Sequence, residues 1–468
     1  MPPHIVVERH PKSFKHYRGG TYKVKKNIPQ RSENDNHHIR QVREEFTGKN
    51  LTRFGGSGLI RRFFSRHKIK EGLTSRVKVE ARRKSKYSPG AMVASCLYGV
   101  FLGYSRPAQM EILSADKVFQ HVVGLCGFPV QSTISRFLSA LKVSVAREIA
   151  SFNFELLMKF RKGLKALRSI TLDLDSHVTP VYGNQQRAAL GYNPRKRGRK
   201  SYHPLFCFVG ETRDYLGGVF RSGKHHSSYN VVRFLKKAIK RLPSHIGDIR
   251  LRADSGFFSR DMVNFLIKRD IEFYIVVPIQ PWVQRKIRHL RDWKGIGGGV
   301  ETGECEYVVK KDVSLRMVVI RQRIKSNSSP RKQLKLLTTE DVRYDYQVIL
   351  TSSDKEAEEV WRFYNQRACC ENFIKEGIYG FGLDKVVSHN YGGNYAWFEL
   401  MMLAYNLMNF FKEQVLNQKK VKNTIQTIRD GLFLIPARLI STSRRRVLKL
   451  EETWIYKKEY DAALARLR

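Results

Sequence analysis

The sequence is poor in cysteine, in acidic residues and in long apolar runs. Its six cysteines among 468 residues include no Cys-x-x-Cys spacing, which argues against a zinc ribbon, a redox motif and a secreted disulfide scaffold. The most apolar run, residues 396–411, contains Glu399, Asn406 and Asn409 and is too short and too polar to span a bilayer. The N-terminus lacks the apolar segment of a signal peptide. We therefore expect a soluble intracellular protein with no membrane partner.

Positive charge dominates the composition. Lysine and arginine total 86 residues against 42 aspartates and glutamates, for a formal net charge of +44. A folded chain with this charge repels itself and attracts polyanions. Because the excess extends along the whole chain, nucleic acid is the expected partner, and a membrane surface is the weaker alternative. Since 42% of the residues are hydrophobic, the chain can also bury a sizeable core.

The N-terminal third combines a basic arm with helical patterns. In residues 116–126 the apolar side chains recur at helical spacing, Gly127 and Pro129 mark a turn, and Ser132 or Thr133 can cap a second helix through residue 143. Two helices joined by a tight turn in a basic chain suggest helix-turn-helix DNA binding, with Arg136 as a candidate contact. The alternative is an ordinary helical hairpin.

The centre of the chain has a mixed α/β pattern. Residues 170–175 alternate as a strand, residues 205–211 and 215–220 form a predicted hairpin, and two helix–strand units follow up to residue 277. A long basic loop precedes the hairpin and is expected to contact phosphates. Its basic residues are Arg195, Lys196, Arg197, Arg199 and Lys200. After Pro281 the pattern becomes all-β, and helical patterns return from residue 355.

Acidic residues at three places could hold a metal ion. Asp173 and Asp175 share one face of a predicted strand, Asp254 ends a second strand, and Glu371 shares a helix face with Tyr364 and Arg367. Mg²⁺ prefers oxygen ligands, and two such ions can activate water and stabilise the leaving oxygen of a phosphodiester. Taken singly, each acid has a structural alternative: a solvated strand residue, a helix cap for Asp254, and an i+4 pair of Glu371 with Lys375. Together they favour a two-ion site.

The alternation alone does not separate Asp173 from Asp175. Asp175 lies nearer the end of the strand, where the side chain can meet Asp254, and Ser176 after it is small. Asp173 lies about 6–7 Å further back, at ~3.3 Å per residue. We therefore predict Asp175 as the metal ligand and keep Asp173 as a further candidate.

The order of elements and the motifs resemble the DDE transposases of bacterial insertion sequences. Tyr364-x2-Arg367-x3-Glu371 matches the start of the Tyr-Arg-Glu-Lys signature of one subgroup, and the sequences around Asp175, residues 252–257 and residues 191–205 are also similar. This resemblance implies an α/β fold with an RNase H-like mixed-sheet catalytic core, interrupted by a β-rich insertion, and a helical N-terminal DNA-binding region. The implied segments are a basic N-terminal arm (1–90), a helical DNA-binding domain (91–166), the first part of the core (167–280), the β-rich insertion (281–352), the second part of the core (353–415) and a basic helical C-terminal region (416–468).

The resemblance also implies a function. Asp175, Asp254 and Glu371 would be catalytic and would bind two Mg²⁺ ions, for which Mn²⁺ is expected to substitute, while Tyr364 and Arg367 would orient the phosphate. The chain would bind double-stranded DNA, both terminal inverted repeats and target DNA, as a homodimer, in a bacterial cytoplasm and at the nucleoid through DNA. It would cleave and transfer strands by a DDE mechanism.

One position departs from the signature. The expected lysine falls at Ile378, and Lys375, one turn after Glu371, is a candidate replacement with an ordinary i+4 pair as the alternative. A catalytically inactive transposase derivative that only binds DNA is the alternative function, although the chain retains all three acids. Another RNase H-like nuclease is a third possibility, for which the insertion and the Tyr-Arg-Glu run are unexpected.

Overall fold

A computed structural model describes residues 44–79, 85–191, 193, 196–311, 313–324, 344–417, 423–442 and 445–468. The chain divides into two units, residues 1–48 and residues 49–468. Of the first unit only residues 44–48 are described, and they form neither helix nor strand. The described elements below all belong to the second unit. The described residues include no helix with the length and apolar composition of a membrane span.

Helices make up most of the region before residue 166. The elements are β1 (Leu51–Thr52), α1 (Gly58–Arg66), α2 (Ile69–Arg76), α3 (Pro89–Phe101), α4 (Glu111–Ala115), α5 (Lys117–Val123), α6 (Gln131–Ala140), α7 (Val143–Phe160) and α8 (Lys162–Lys165). Local sequence explains several of these boundaries. Ser88 caps α3 by accepting a hydrogen bond from the backbone N–H of Ala91, and Asp116 caps α5 by accepting one from Phe119. Gly124 ends α5 in the left-handed conformation, at φ +70°.

The two helices expected on either side of Gly127 are α5 and α6. The cap of α6 differs from the prediction, because Val130 is the capping residue and neither Ser132 nor Thr133 precedes the helix. Instead, the carboxylate of Glu111 accepts a hydrogen bond of 2.7 Å from the N–H of Gln131. A side chain from α4 thus replaces the expected local cap.

The middle of the chain supplies the strands of one large sheet. The elements are β2 (Ser169–Ser176), β3 (Thr179–Pro180), β4 (Ser201–Tyr202), β5 (Leu205–Val209), β6 (Tyr215–Val219), α9 (Val231–Lys240), β7 (Asp248–Ala253), α10 (Arg260–Lys268), β8 (Glu272–Val276), α11 (Pro281–His289), β9 (Lys294–Gly297), β10 (Val300–Lys310), β11 (Val313–Arg323) and β12 (Tyr344–Thr351).

Within the described residues this sheet has nine strands in the order β6-β5-β2-β7-β8-β12-β11-β10-β9. The pairs β2–β7 and β7–β8 are parallel and the other pairs are antiparallel. The parallel pairs need crossover connections, which contain the helices α9 and α10. The sheet is therefore mixed, and the fold is of the α/β class.

The strands after residue 281 extend the same sheet, because β12 pairs with β8. The all-β pattern predicted for this segment also misses α11, which begins at Pro281 as its first helical residue. The apolar side chains Val283 and Ile287 of α11 are buried at i+4 spacing, which is a helical and not a strand period.

The C-terminal part supplies helices that pack against the large sheet and complete the hydrophobic core. Its elements are α12 (Ala357–Asn365), α13 (Ala368–Phe381), α14 (Tyr391–Val415), α15 (Ile425–Ile428), β13 (Ala437–Ser441), β14 (Arg446–Leu450) and α16 (Lys457–Arg466). The sequence predicts a helical region after residue 416, but β13 and β14 form a hairpin that also pairs with β1. Leu448 and Leu450 of β14 are half-buried and alternate with exposed residues, which is the strand period.

The helix α14 is the centre of the core. It is apolar on all sides because it packs against α3, α6 and α7 and also against the sheet. Gly392 and Gly393 at its start permit the close approach of α6, since a Cβ at either position would lie 2.2 Å from the carbonyl oxygen of Leu141 or Leu138. The apolar run of residues 396–411 is therefore a buried core helix.

Candidate active site

Two of the predicted acids lie side by side at the ends of adjacent parallel strands. Asp175 is the second-last residue of β2, and Asp254 immediately follows β7. Leu174 and Ala253, the residues before them, are register partners. Asp175 is buried, at 7% exposure, whereas Asp254 is half-buried. The parallel pairing thus brings together two carboxylates that are 79 residues apart in the sequence.

Backbone amides orient both carboxylates. The N–H of Ser176 donates to Asp175 Oδ1 at 2.7 Å, and the N–H of Gly256 donates to Asp254 Oδ1 at 3.0 Å. Asp254 is therefore the cap of the short turn of residues 255–257, as the structural alternative anticipated. Its other oxygen, Oδ2, faces the site.

The guanidinium of Arg367 lies between the two aspartates. Its Nη2 is 3.4 Å from Asp175 Oδ1 and 3.6 Å from Asp254 Oδ2, and the residue is buried at the start of α13. Its Nε is buried and has no hydrogen-bond partner among the described residues. Tyr364, at the end of α12, is also buried. The predicted Tyr-Arg pair is therefore beside the carboxylates.

Glu371 lies one helical turn after Arg367 in the first turn of α13, and its side chain is exposed. The helix covers the face of the sheet that carries Asp175, because Phe373 of α13 packs on Phe208 of β5 with 5.6 Å between the ring centroids. Burial raises the pKa of Asp175 to about 6, the positive charge of Arg367 opposes this, and the charges of Asp254 and Glu371 raise the pKa further. The three carboxylates thus act on one another electrostatically.

Asp173 has a different environment from Asp175. It is fully buried, and both of its oxygens accept hydrogen bonds from Arg252, at 2.6 Å from Nε and 2.8 Å from Nη2. Burial raises the pKa of Asp173 and the bonds from Arg252 oppose the rise. These contacts do not support Asp173 as a further metal ligand, because the guanidinium of Arg252 already binds both oxygens of its carboxylate.

The donor set fits a hard divalent cation, although a complete cluster is not preformed. Among the described residues, no group of three or more His, Cys, Asp and Glu side chains is close enough to hold a metal ion. Two carboxylates nevertheless converge on one point, now next to the Arg367 nitrogen, and Glu371 is the third oxygen donor nearby. Carboxylate oxygens with water and substrate phosphate are the usual ligands of Mg²⁺.

Lys375 and Ile378 differ in their environment on α13. Lys375 is exposed, like Glu371, and neither side chain has an ion pair in the described part of the chain. Ile378, where the signature lysine was expected, is half-buried and packs against the core. The structure therefore leaves Lys375 as the exposed basic side chain one turn after Glu371.

The predicted basic loop is described only in part, and Arg195 lies outside the described residues. Four of its basic side chains are exposed: Lys196, Arg197, Arg199 and Lys200. The ammonium of Lys196 and the guanidinium of Arg199 lie 4.9 and 5.3 Å from the ring centroid of the exposed Tyr182. Arg136 is exposed on α6, where it donates to Ser132 and Thr133 of its own helix.

Sequence reasoning missed a hydrogen-bonded network next to Asp175. The hydroxyl of Ser176 lies 3.1 Å from Ser227 Oγ and 3.0 Å from Nε2 of His203, whose Nδ1 lies 3.0 Å from the carbonyl oxygen of His225. Burial lowers the pKa of His203 to about 4, so the ring is neutral at pH 7. The contacts then assign the proton to Nδ1, and Nε2 accepts from Ser176.

The side chain of Arg221 fixes the backbone of the segment that contains Ser227. This buried guanidinium donates to four backbone carbonyls, those of His203, His226, Ser227 and Tyr229. Burial lowers the pKa of Arg221 to about 10. The pattern of the sequence gives no signal for this role, since the acceptors are all backbone atoms.

A cavity of about 440 Å³ opens beside Asp254. It is lined by Ser255, by amide side chains and by aromatic rings from β12 and α12, including Gln347, Asn365, Tyr346 and Trp361. The cavity therefore begins at the residue that follows Asp254, and its lining combines polar and apolar side chains.

Comparisons with known proteins place the chain in a family of enzymes that move DNA. A family model described as transposase DDE domain group 1 matches residues 34–468. A cryo-EM structure of the piggyBac transposase synaptic complex with hairpin DNA is similar to this chain, with a TM-score of 0.46 and 11% sequence identity over 81% of this chain and 79% of that chain. No curated protein matches.

Proposed function

The chain belongs to the transposase DDE domain group 1 family, and from that membership we propose that it binds the terminal inverted repeats of a bacterial insertion sequence and catalyses phosphodiester hydrolysis and strand transfer. The observation that carries the proposal is the convergence of Asp175 and Asp254 on Arg367, with Glu371 one turn further along α13. In our proposal these three residues are the acids of the DDE pattern.

The strand order supports an RNase H-like core for the proposed enzyme. The antiparallel strands β6, β5 and β2 are followed by β7 and β8, which are parallel to β2, and the acids lie at the ends of the two central strands. Ligands of α/β sheets bind outside the carboxyl ends of the strands. We propose the segments 167–280 and 353–415 as the core and 281–352 as an insertion that lengthens its sheet.

We propose that Asp175, Asp254 and Glu371 hold two Mg²⁺ ions, or Mn²⁺ in their place. When bound, the ions would activate the attacking water or 3′-hydroxyl and stabilise the leaving oxygen of the phosphodiester. The N–H groups of Ser176 and Gly256 donate to Oδ1 of the two aspartates and thereby fix the orientation of both carboxylates for a ligand.

Arg367 has two proposed tasks. Without substrate its guanidinium offsets the repulsion between Asp175 and Asp254, which would otherwise face each other closely at the strand ends. With substrate its unpartnered Nε would donate to a phosphate oxygen, since arginine binds phosphate through several N–H donors at once. Tyr364 would pack beside the same phosphate.

The basic surface is the proposed path of the DNA. The exposed cations of the 196–200 loop, Lys375 on α13 and Arg136 on α6 offer phosphate contacts on separate elements. The pair α5 and α6 is the proposed reader of the inverted repeat. The proposed active form is a homodimer that joins two DNA ends, as in the family that the sequence resembles.

The test of the proposed function uses short duplexes that carry the ends of the DNA element around the gene. Asp254→Asn and Glu371→Gln should abolish cleavage in Mg²⁺ and leave DNA binding within about twofold, because the acids act on chemistry and the basic surface supplies affinity. Asp248→Asn is the matched control, since this exposed acid lies at the other end of β7.

Cleavage by Asp254→Asn at the wild-type rate would remove the metal assignment. A wild-type protein that binds the repeats but cuts in neither Mg²⁺ nor Mn²⁺ would identify the alternative, an inactive transposase derivative that only binds DNA.

A further inference from the structure

We propose that the buried ion pair between Asp173 and Arg252 is a positioning device that fixes the α12–α13 junction above the sheet. The junction carries Tyr364, Arg367 and Glu371, so its placement decides whether these side chains face Asp175 and Asp254. The reaction that this placement would serve is the proposed function, on which the inference rests. Asp173 and Arg252 act through other residues and do not touch the substrate.

The pair is formed by direct register partners on the two central strands. Asp173 of β2 is opposite Arg252 of β7 in the parallel pairing, and both residues are at most 3% exposed. Asp173 lies two residues before Asp175, and Arg252 lies two residues before Asp254, which continues β7 in extended conformation. Each member of the pair therefore points to the same face of the sheet as the carboxylate that follows it. The pair therefore lies about 6–7 Å behind the site, at ~3.3 Å per residue.

Arg252 has one nitrogen left after it binds Asp173, and that nitrogen binds the junction. Its Nη1 donates to the carbonyl oxygen of Phe363 at 2.8 Å and to Oε1 of Gln366 at 3.3 Å. Phe363 is in the last turn of α12, and Gln366 immediately precedes Arg367. A single guanidinium thus ties two strands to the residue next to the site arginine.

Packing on both sides holds this guanidinium in place. The ring of Phe363 lies 4.8 Å from the Arg252 guanidinium carbon and in turn packs on Tyr274 of β8. On another side the backbone of Gly210 comes so close that a Cβ there would lie 2.7 Å from Arg252 Nη2 and 3.2 Å from Asp173 Oδ2. The guanidinium is therefore confined, and a lysine could not reproduce its three directions of hydrogen bonding.

Arg252→Lys is the first test, with Arg250→Lys as its matched control. Arg250 lies two residues earlier on β7 and near the same Phe363 ring, but its hydrogen bonds are to Ser169 and Glu211 and not to the junction. Arg252→Lys should lower the rate of DNA cleavage at saturating DNA by about 10²-fold, since a ~1 Å displacement of a catalytic group costs that much. Its DNA affinity and the activity of Arg250→Lys should stay within about twofold of wild type.

Hydrogen exchange supplies a readout that is independent of cleavage. In Arg252→Lys, the amides of residues 363–371 should lose protection while those of β2 and β7 keep it, because the strands remain paired and the junction has lost its tether. The double variant Asp173→Leu with Arg252→Met removes the charges together, which for buried pairs is often neutral for stability. It should fold with wild-type protection in both strands and still show the unprotected junction and the slow cleavage.

Three results would overturn the inference: wild-type cleavage by folded Arg252→Lys, a junction that keeps its protection in both variants, or an equal loss of protection in the strands and the junction. The last result would make the pair a general stabiliser of the sheet. If the wild-type protein does not cleave DNA, the proposed function fails, and the exchange pattern still decides whether Arg252 positions the junction.

Discussion

Glu399 should make the protein less stable as the pH rises from about 5 to about 8. This residue lies in the middle of α14 with no exposed surface, and the hydroxyl of Tyr215 donates to its two carboxyl oxygens at 3.3 and 3.4 Å. Burial raises the pKa of Glu399 to about 8, and the hydrogen bond from Tyr215 opposes the rise. The carboxyl is therefore protonated in the folded protein at neutral pH.

The sign follows from the two pKa values. The unfolded chain releases this proton near pH 4.5 and the folded protein holds it until about pH 8, so raising the pH between these values favours unfolding. At about 1.4 kcal/mol per pKa unit, the full penalty above pH 8 is on the order of 5 kcal/mol. Below pH 4.5 both states are protonated and the penalty disappears.

Glu399→Gln tests this directly, because glutamine keeps the shape and an acceptor for Tyr215 but has no proton to lose. The free energy of unfolding, measured in urea between pH 5 and pH 9, should be similar for the two proteins at pH 5 and several kcal/mol higher for the variant at pH 8.5. Glu452→Gln, at an exposed position, is the control and should follow the wild type. A variant that loses stability with pH as steeply as the wild type would show that Glu399 is not the group responsible.

Three further predictions concern DNA binding and the site. Affinity for DNA should fall by ~10³–10⁵ between about 50 and 200 mM salt if ~6–10 phosphates are contacted, and a binding isotherm independent of salt would contradict this. Asp175→Asn should abolish cleavage without loss of stability. Asp173→Asn should cost about 3–5 kcal/mol of unfolding free energy, because it leaves Arg252 buried without an anion. Urea titrations and cleavage assays of the two variants would show the reverse pattern if Asp173 and not Asp175 were the metal ligand. Arg221→Lys should cost on the order of 1–3 kcal/mol and expose residues 224–229 to limited proteolysis, since one ammonium cannot serve four carbonyls, and an unchanged cleavage pattern would refute that role.

The positions of Asp175 and Asp254 could be predicted because their signals are local. Strand alternation and the small residues Ser176 and Ser255 after the acids are visible in a few consecutive letters. The partner of Asp173 could not be predicted, because two aspartates on one strand face look alike until the register with β7 is known. That register sets Asp173 opposite Arg252, a residue 79 positions away.

Tertiary contacts account for two of the differences between the predicted and the observed structure. The basic segment after residue 416 contains the hairpin β13–β14 because β1, from the other end of the chain, supplies a pairing edge. The cap of α6 comes from Glu111 on α4, although two hydroxyl residues were available nearby. In both cases the deciding partner is distant in the sequence.

The charges around β2 and β7 fall into an inner pair and an outer set, which differ in charge balance and in access. The inner pair, Asp173 with Arg252, is neutral, so it can be buried without a counter-ion from solvent. The outer set has Asp175, Asp254 and Glu371 against one guanidinium, that of Arg367, which leaves two negative charges once all three acids are ionised. Burial is the main reason that the pKa of Asp175 is raised to about 6, and the negative charges of Asp254 and Glu371 add to the rise. A divalent cation would balance the two remaining negative charges. It could reach the outer set, because Asp254 is half-buried and Glu371 is exposed. The inner set offers neither free charge nor access, so the same strands hold one structural pair and one site that fits a metal ion.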